Sequence, residues 1–504
     1  MPTGNDPLEL TRAALAGRRA WLVGGAVRDR LLRDGGALPP DAADLDVVLD
    51  GEPREAADAL ARAARAASFP LSEEYGGWRV VARDGAWQVD FERLRGGSLE
   101  EDLALRDFTI NAIAHPLGEP GESPGEAVDP FGGLEDLDRR RLREVGPRAF
   151  ADDPLRVLRL VRLAVELELL PDHGTLTRAR AHVGELRAVA PERVFMELVR
   201  ILGAPRAVRG LEMMGEVGAT AVVLPELEAL RGVEQSRYHH RDVYGHTVEV
   251  LEHVIALQEN PATALDDRGR AGERSAARGG ERGVIAPEQR DDALAALLAE
   301  PLADGLTRGD ALRWGALLHD AAKPLTREVR STDGRVTFMG HDVRGAQLAE
   351  DVFGRQRASG RLRAHVAALV RHHLRLGFLV HEPQPLARRA VFAYLRSCEP
   401  VEVDVTLLSI ADRLATRGDR AREAIDAHLA LARTMLADAL EWRAGGLPQP
   451  LLRGDELARA LGIATGPRVG ELLEELAAAQ YAGEIATREQ ALAYARAHAD
   501  RMPQ

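Results

Sequence analysis

The sequence predicts a small mixed α/β head followed by three mainly helical parts: a neck, a larger helical domain and a helical tail. Three observations carry that prediction. Short apolar runs with a β-branched and aromatic bias are confined to residues 20–115. From about residue 138 onward almost every segment has helical periodicity, punctuated by Gly and Pro. Aromatic residues are only 4% of a chain that is 45% hydrophobic, so its cores must be mostly Leu, Val and Ala, which favours helices. A length of 504 residues leaves room for three or four domains, and a charged fraction of 29% is ordinary for a globular protein. Disorder, collagen and a coiled-coil array are excluded as descriptions of the whole.

In order along the chain, AWLV at 20–23, LDVVL at 45–49, RVVA at 79–82 and WQVDF at 87–91 read as strands. Between them, EPREAADALARAARAA at 52–67 reads as a helix. The polar stretch 259–290, rich in Gly, Ala and Arg, reads as a flexible insertion. Gly462 and Gly466 break the last part into a helix-loop-helix. No internal repeat is visible.

Cys398 is the one cysteine, so neither a disulfide framework nor a thiolate zinc cluster can form, which suits a reducing compartment. The first twenty residues contain no apolar signal-peptide core, and no apolar run approaches the roughly 20 residues of a membrane span. We therefore expect a cytoplasmic protein without a membrane partner. A net charge of −13 argues against non-specific nucleic-acid binding, yet residues 139–162 hold eight Arg against three acids. Every basic residue except Lys323 is arginine, which reads as compositional bias, so arginine counts alone decide little.

The first constellation begins with WLVGGAVRDRL at 21–31, where a strand runs into Gly24-Gly25 and a helix starts at once. Glycines there admit close approach of a ligand, and the helix N-terminus offers free N–H groups to phosphate, with Arg28 as an added cation. Such a turn is also a common structural device. On the next strand Asp44 and Asp46 share one face while Leu45 and Val47 take the other. Two neighbouring carboxylates repel unless a divalent cation lies between them, or unless both simply face water. Asp90 is either a third carboxylate from a neighbouring strand or a solvent-facing residue. Farther on, Asp153 and Pro154 are placed as N-cap and first residue of a helix. Asp153, Arg156, Arg159 and Arg162 recur every third residue, drifting about 60° per step, while Leu155, Leu158 and Leu163 pack inward. That row reads either as a salt-bridged solvated face or as a ligand-reading one.

GGAVRD, the DLD strand, RDFTINAIA at 106–114 and DDPLRVLRLVR at 152–162 occur in this order, and APERVFMELVRIL follows at 190–202. This combination resembles the class II tRNA nucleotidyltransferase and poly(A) polymerase family over about 210 residues. The resemblance implies a nucleotidyltransferase head with a polymerase-β-like palm. It implies that Asp44 and Asp46 hold Mg²⁺ and that Gly24, Gly25 and Arg28 cradle a triphosphate; Asp90, read from its strand position, is the candidate third catalytic carboxylate. It implies that Arg106 contacts the nucleotide and that Asp153 and Arg156 read the Watson–Crick edge of the base, with Arg159 and Arg162 farther along. A fork of donors beside an acceptor suits both cytosine and adenine, so the protein itself serves as template. Two departures stand out: eighteen residues separate Gly25 from Asp44, with DGGALPPDAA at 34–43 as an inserted loop, and the chain passes directly from VDFERLR to GGSLEEDLALRDF. Many CCA-adding relatives carry there a longer loop, implicated in switching from C to A.

The second constellation is His246, then His319-Asp320 inside an apolar helix, then His341, His373 and Asp412. A single helical His is usually packed or solvated, but a buried His-Asp pair needs a cation or hydrogen bonds. Imidazole with carboxylate suits transition metals. The order resembles the HD superfamily of metal-dependent phosphohydrolases. His246, His319, Asp320 and Asp412 match its four core ligands, and His341 and His373 the extra ligands of two-metal relatives. That implies Mn²⁺, Co²⁺ or Ni²⁺ and a phosphatase or 2′,3′-cyclic phosphodiesterase in tRNA repair.

The expected organisation is a head at 1–137, a neck for base and RNA binding at 138–230, an HD domain at 231–415 and a helical tail at 416–504 that grips tRNA. The expected function is template-independent, Mg²⁺-dependent addition of CCA to the 3′ end of tRNA from CTP and ATP, with release of pyrophosphate. Within that class the alternatives are CC addition only, suggested by the short connection, or poly(A) synthesis. From another class, the chain is mainly an HD phosphohydrolase with an RNA-binding head, which the presence of Asp44 and Asp46 argues against.

Overall fold

The computed structural model describes residues 6–32, 44–71, 76–122, 125–235, 240–261, 287–416, 421–446 and 448–499. The expected inserted loop at 34–43 and residues 262–286 of the expected insertion lie outside the described residues. The chain divides into two compact units. One comprises residues 1–197 and 209–223, the other 198–208 and 224–504.

The first unit is built on a six-stranded sheet. Its elements are α1 (Pro7–Ala14), β1 (Ala20–Val23), α2 (Gly25–Leu32), β2 (Asp44–Leu49), α3 (Pro53–Ala64), β3 (Ala67–Pro70), β4 (Trp78–Val81), β5 (Gln88–Arg93), α4 (Leu99–Ala104) and β6 (Ala114–Pro116). The strand order is β3-β4-β5-β2-β1-β6, with β2 and β5 parallel and the other pairs antiparallel. Alternation decides the faces of β2: Leu45 and Val47 are buried while Asp44 and Asp46 are exposed. The four strands read from sequence are present within a residue or two. β3 and β6 were not foreseen. The helix expected over 52–67 stops at Ala64, because Arg65 adopts a left-handed conformation (φ 52°) that closes it, and β3 then pairs with β4. Helix propensity gave way there to a sheet edge that needed a partner.

Beyond the sheet, Phe108 packs edge-on against Phe150 at 6.3 Å. The helix Arg156–Glu166 follows, and Leu155, Leu158 and Leu163 are buried as expected. Asp153 lies just before that helix, in extended conformation, and its Oδ1 accepts from the N–H of Leu155 at 3.2 Å. It caps a lead-in turn, so the helix starts two residues later than its capping signal suggested.

The second unit is mostly helical. Helix Val243–Glu259 is capped by Asp242, which accepts from Gly245 N–H at 2.8 Å. Helix Arg308–Leu318 opens with a capping box between Thr307 and Asp310. Helices Val243–Glu259, Gly360–His372 and Glu402–Leu414 pack against it, and His341–Arg355 packs on Gly360–His372. Close approach there depends on glycine: a Cβ on Gly315 would lie 2.7 Å from Leu369 Cδ1, and one on Gly345 2.9 Å from Val370 Cγ1. Trp314 fills the centre, edge-on to Phe353 at 5.1 Å. Helix Pro287–Leu298 starts inside the stretch read as an insertion. The tail ends in helices Gly454–Leu461, Pro467–Ala482 and Arg488–Ala499 around Leu457, Leu472, Leu476 and Ala491. Gly462 closes the first of these at φ 67° and Gly466 precedes the second, as their spacing suggested. Among the described residues no helix is long and apolar enough to cross a membrane.

Candidate functional sites

In the first unit β1 delivers the chain to Gly24, whose φ of +73° belongs to glycine, and a Cβ there would lie 2.9 Å from Asp46 Oδ2. The turn thus brings backbone against a carboxylate that no other residue type would tolerate. Asp46 pairs in register with Asp90 on β5, so Asp44, Asp46 and Asp90 occupy neighbouring strand positions. Desolvation, then repulsion from Asp90, push the Asp46 carboxyl up to about 6, against the pull of Arg106. Asp46 keeps its solvent exposure, which makes the like-charge repulsion the sturdier cause.

Arginines hold the neighbouring groups. Arg79, on the adjacent β4, grips both oxygens of Asp90 at 2.7 Å each. Arg106 lies 3.3 Å from Asp102 and borders the Gly24 turn, with its Nε buried and without a hydrogen-bond partner among the described residues. Arg28 donates to Asn111 Oδ1 at 2.8 Å and pairs with Asp29. Asn111 in turn donates to Asp107 Oδ1 at 2.9 Å, and Arg159 lies 2.8 Å from Asp107 Oδ2. Burial raises the Asp107 pKa, but Arg159, Asn111 and the Phe108 N–H together bring it below the usual carboxylate value.

A cleft of about 1220 Å³ opens beside this network, lined among others by Arg95, Leu105, Arg148, Asp153, Arg156 and Arg193. Arg193 donates to Asp153 Oδ2 at 2.8 Å, while Arg156 donates to the carbonyls of Leu105, Arg106 and Ala149. Arg159 does not line the cleft. Arg162 departs from the expected row altogether. It is buried in ion pairs with Glu197 at 2.6 Å and Glu166 at 2.9 Å. The reason is the drift itself: three steps of about 60° carry Arg162 to the opposite side of the helix from Asp153. Arg79, Arg95, Asn111, Arg148 and Arg193 escaped the sequence reading. Asn111 and Arg193 stood inside quoted motifs, whereas Arg79, Arg95 and Arg148 carried no local signal among so many arginines.

In the second unit the six expected ligands converge. Two triads, His246–His319–Asp320 and Asp320–His341–His373, have ligand atoms mutually within 4.8 Å, and both share Asp320. Among the described residues Asp44, Asp46 and Asp90 form no such group. Asp412 Oδ1 lies 3.0 Å from His246 Nε2. The Nδ1 atoms of His319, His341 and His373 face the carbonyls of Ala316, Phe338 and Val370 at 2.8, 2.7 and 2.7 Å. That network assigns the proton to Nδ1 and turns each Nε2 lone pair inward.

His341 and His373 Nε2 then face one another at 3.3 Å, with Asp320 Oδ1 3.3 Å from the former. Asp320 Oδ2 and His319 Nε2 are buried with no hydrogen-bond partner among the described residues. Facing lone pairs beside a buried carboxylate are the arrangement a divalent cation satisfies, so the residues fit a metal. Burial opposes the charge on Asp320, but His319 and Lys323 hold its pKa well below the usual range. Burial, with the neighbouring His319, pushes His373 down to about 4, so it is neutral and able to bind metal near pH 7.

Three family models match the chain. The poly(A) polymerase head domain covers residues 80–143, the probable RNA- and SrmB-binding site of polymerase A covers 172–230, and the HD domain covers 293–417. The A-adding tRNA nucleotidyltransferase of Deinococcus radiodurans is 35% identical over 489 residues, covering 96% of each chain. The chain belongs to the tRNA nucleotidyltransferase family. The CC-adding tRNA nucleotidyltransferase of Thermus thermophilus is 34% identical over 483 residues, covering 94% of this chain and 92% of its own. The Thermotoga maritima CCA-adding enzyme complexed with tRNA shares the fold at a TM-score of 0.59 and 18% identity, over 98% of this chain and 94% of that one. The chain is thus an enzyme of the nucleotidyltransferase class whose fold joins a polymerase head to an HD domain.

Proposed function

We propose that the enzyme builds the CCA end of tRNA from CTP and ATP without a nucleic-acid template. The observation that carries this is the placement of Asp46 beside Gly24, with Asp44 on the same strand face and Asp90 in register on the next strand. Asp44, Asp46 and Asp90 would hold the cations. Gly24, Gly25, Arg28 and Arg106 bind the triphosphate, Asp153 presents an acceptor to the base, and Arg156 presents a donor fork once it releases the carbonyls of Leu105, Arg106 and Ala149. Asp153 must exchange Arg193 for the base edge, so Arg193 sets how strongly Asp153 is held back. Mg²⁺ held by Asp44, Asp46 and Asp90 would lower the pKa of the tRNA 3′-hydroxyl and offset the triphosphate charge. That hydroxyl oxygen gives up its proton to solvent and bonds to the α-phosphorus, the bond from the α-phosphorus to the bridging oxygen breaks, and pyrophosphate leaves with that oxygen. No side-chain nucleophile is needed.

CC addition alone is the second reading. It is favoured by the five-residue connection 94–98 between β5 and α4. Relatives of both partial specificities span nearly the whole chain. Incubation with tRNAs lacking the whole CCA end, the last two residues or the last A, each with one labelled nucleotide, separates the readings. Failure to add A to a tRNA ending in CC overturns complete CCA synthesis.

In the second unit we propose a metal-dependent phosphohydrolase that trims phosphate ends in tRNA repair, with His246, His319, Asp320, His341, His373 and Asp412 as ligands of Mn²⁺, Co²⁺ or Ni²⁺. Such a cation supplies Lewis-acid activation of the phosphate ester. The domain organisation that fits these roles is the head at 1–137, neck at 138–230, HD domain at 231–415 and tail at 416–504. A tRNA substrate and the single buried Cys398 support a cytoplasmic location.

A further inference from the structure

All 66 basic residues of the chain are arginine except Lys323. If composition alone chose among these positions, the lysine would fall on this one about once in 66. It falls three residues after Asp320, the carboxylate shared by both triads. Lys323 is 7% exposed, with its Nζ 2.6 Å from Asp320 Oδ2 and 5.4 Å from the ring centre of Phe338. It donates a hydrogen bond to Gln235 Oε1 at 2.6 Å. The approach to Asp320 is an ion contact without hydrogen-bond geometry, since Oδ2 has no hydrogen-bond partner among the described residues. One of the three ammonium donors is therefore committed to Gln235. A planar guanidinium, with donors in a fixed fork, does not substitute for a compact ammonium so close to two oxygens.

We propose that Lys323 is the phosphate-binding cation of the second site. Its ammonium, steered by Gln235 and Asp320, donates to a non-bridging oxygen of the phosphate ester presented to the histidine–aspartate cluster. With a divalent cation held by Asp320, the ammonium would be held less tightly by that carboxylate and free to meet a second anion. A phosphate ester is the anion that the site's chemistry brings. The assignment rests on the phosphohydrolase reading above, and its test separates the two.

Equilibrium dialysis of radiolabelled inorganic phosphate against the Mn²⁺-loaded full-length chain, with the Asp320→Ala chain as baseline, isolates phosphate held by the second site. Lys323→Gln is expected to weaken that binding ten- to hundredfold, as loss of a charge-assisted hydrogen bond does, with bound Mn²⁺ unchanged. Lys323→Arg is expected not to restore it. With 2′,3′-cyclic cytidine monophosphate, both variants raise KM more than they lower kcat. If wild type binds phosphate in this difference but hydrolyses nothing, the phosphohydrolase reading fails and the assignment of Lys323 stands. Phosphate binding equal to wild type in Lys323→Gln, no phosphate binding above the baseline in wild type, or loss of Mn²⁺ from the variant each overturns the assignment.

Discussion

The two sites proposed to hold cations are built in opposite ways. In the head the carboxylates sit exposed on a strand face, Asp90 is occupied by Arg79, and Asp46 is pushed up to about 6. In the HD domain every proposed ligand but Asp412 is buried, and three of the imidazoles are aimed by backbone carbonyls. The head's donors are hard oxygens, and a nucleoside triphosphate brings further oxygens with it. The HD site supplies its own softer shell. The difference teaches that the head should assemble with its substrate, whereas the HD cluster should keep its metal at rest.

The largest effect that sharpens this contrast is expected from Asp44→Ala or Asp46→Ala. Nucleotide incorporation should fall by roughly a thousandfold or more, while tRNA retention on filters stays nearly unchanged, because the carboxylates hold cations and not RNA. Normal turnover in either variant would remove them from the mechanism. Next, His319→Ala combined with Asp320→Ala should strip the bound transition metal and abolish cleavage of 2′,3′-cyclic phosphate. Nucleotide addition with Mg²⁺ should persist; if it collapses in a folded, tRNA-binding protein, the two sites are coupled and the contrast fails.

A smaller effect is expected from Arg156→Ala. Discrimination of CTP from UTP should drop by about 1–3 kcal/mol, the worth of a bidentate base contact, measured as the ratio of kcat/KM values. Unchanged selectivity would place the template elsewhere in the cleft.

The smallest concerns acid sensitivity of the second unit. Burial pushes His428, hydrogen-bonded to Ser409 at 3.1 Å, down to about 4. Its unfolded value is about 6.5, so between these values the unfolded chain binds more protons than the folded one. Stability is then complete above pH 6.5 and falls as pH drops toward 4, by at most about 3 kcal/mol from this group. Urea titrations at pH 5 and pH 7 should show a smaller difference in His428→Gln. An unaltered pH dependence would assign the acid sensitivity to other groups.

The head was legible because its motifs are local. A strand, a glycine turn and alternating aspartates announce themselves within a few residues, and the parallel pairing of β2 with β5 then brought Asp90 to Asp46. The row of arginines on the neck helix was legible only in part. Three-residue spacing is not helical spacing, so Arg162 ended among Glu197 and Glu166 instead of beside Asp153. β3 was missed because an alanine-rich helix gives no sign of where a left-handed residue will stop it.

The sequence by itself determined the class of both sites, the residue types proposed to hold cations, and the face of the strand that carries Asp44 and Asp46. These follow from periodicity and from the cost of placing carboxylates together or burying them. The tertiary structure decided which partner each charge takes: Arg79 for Asp90, Arg193 for Asp153, Asp107 for Arg159, and Lys323 for Asp320. A side chain's charge is written in the sequence. Its counter-charge depends on which strands and helices meet, and in a chain whose basic residues are almost all arginine no local pattern says which arginine will arrive.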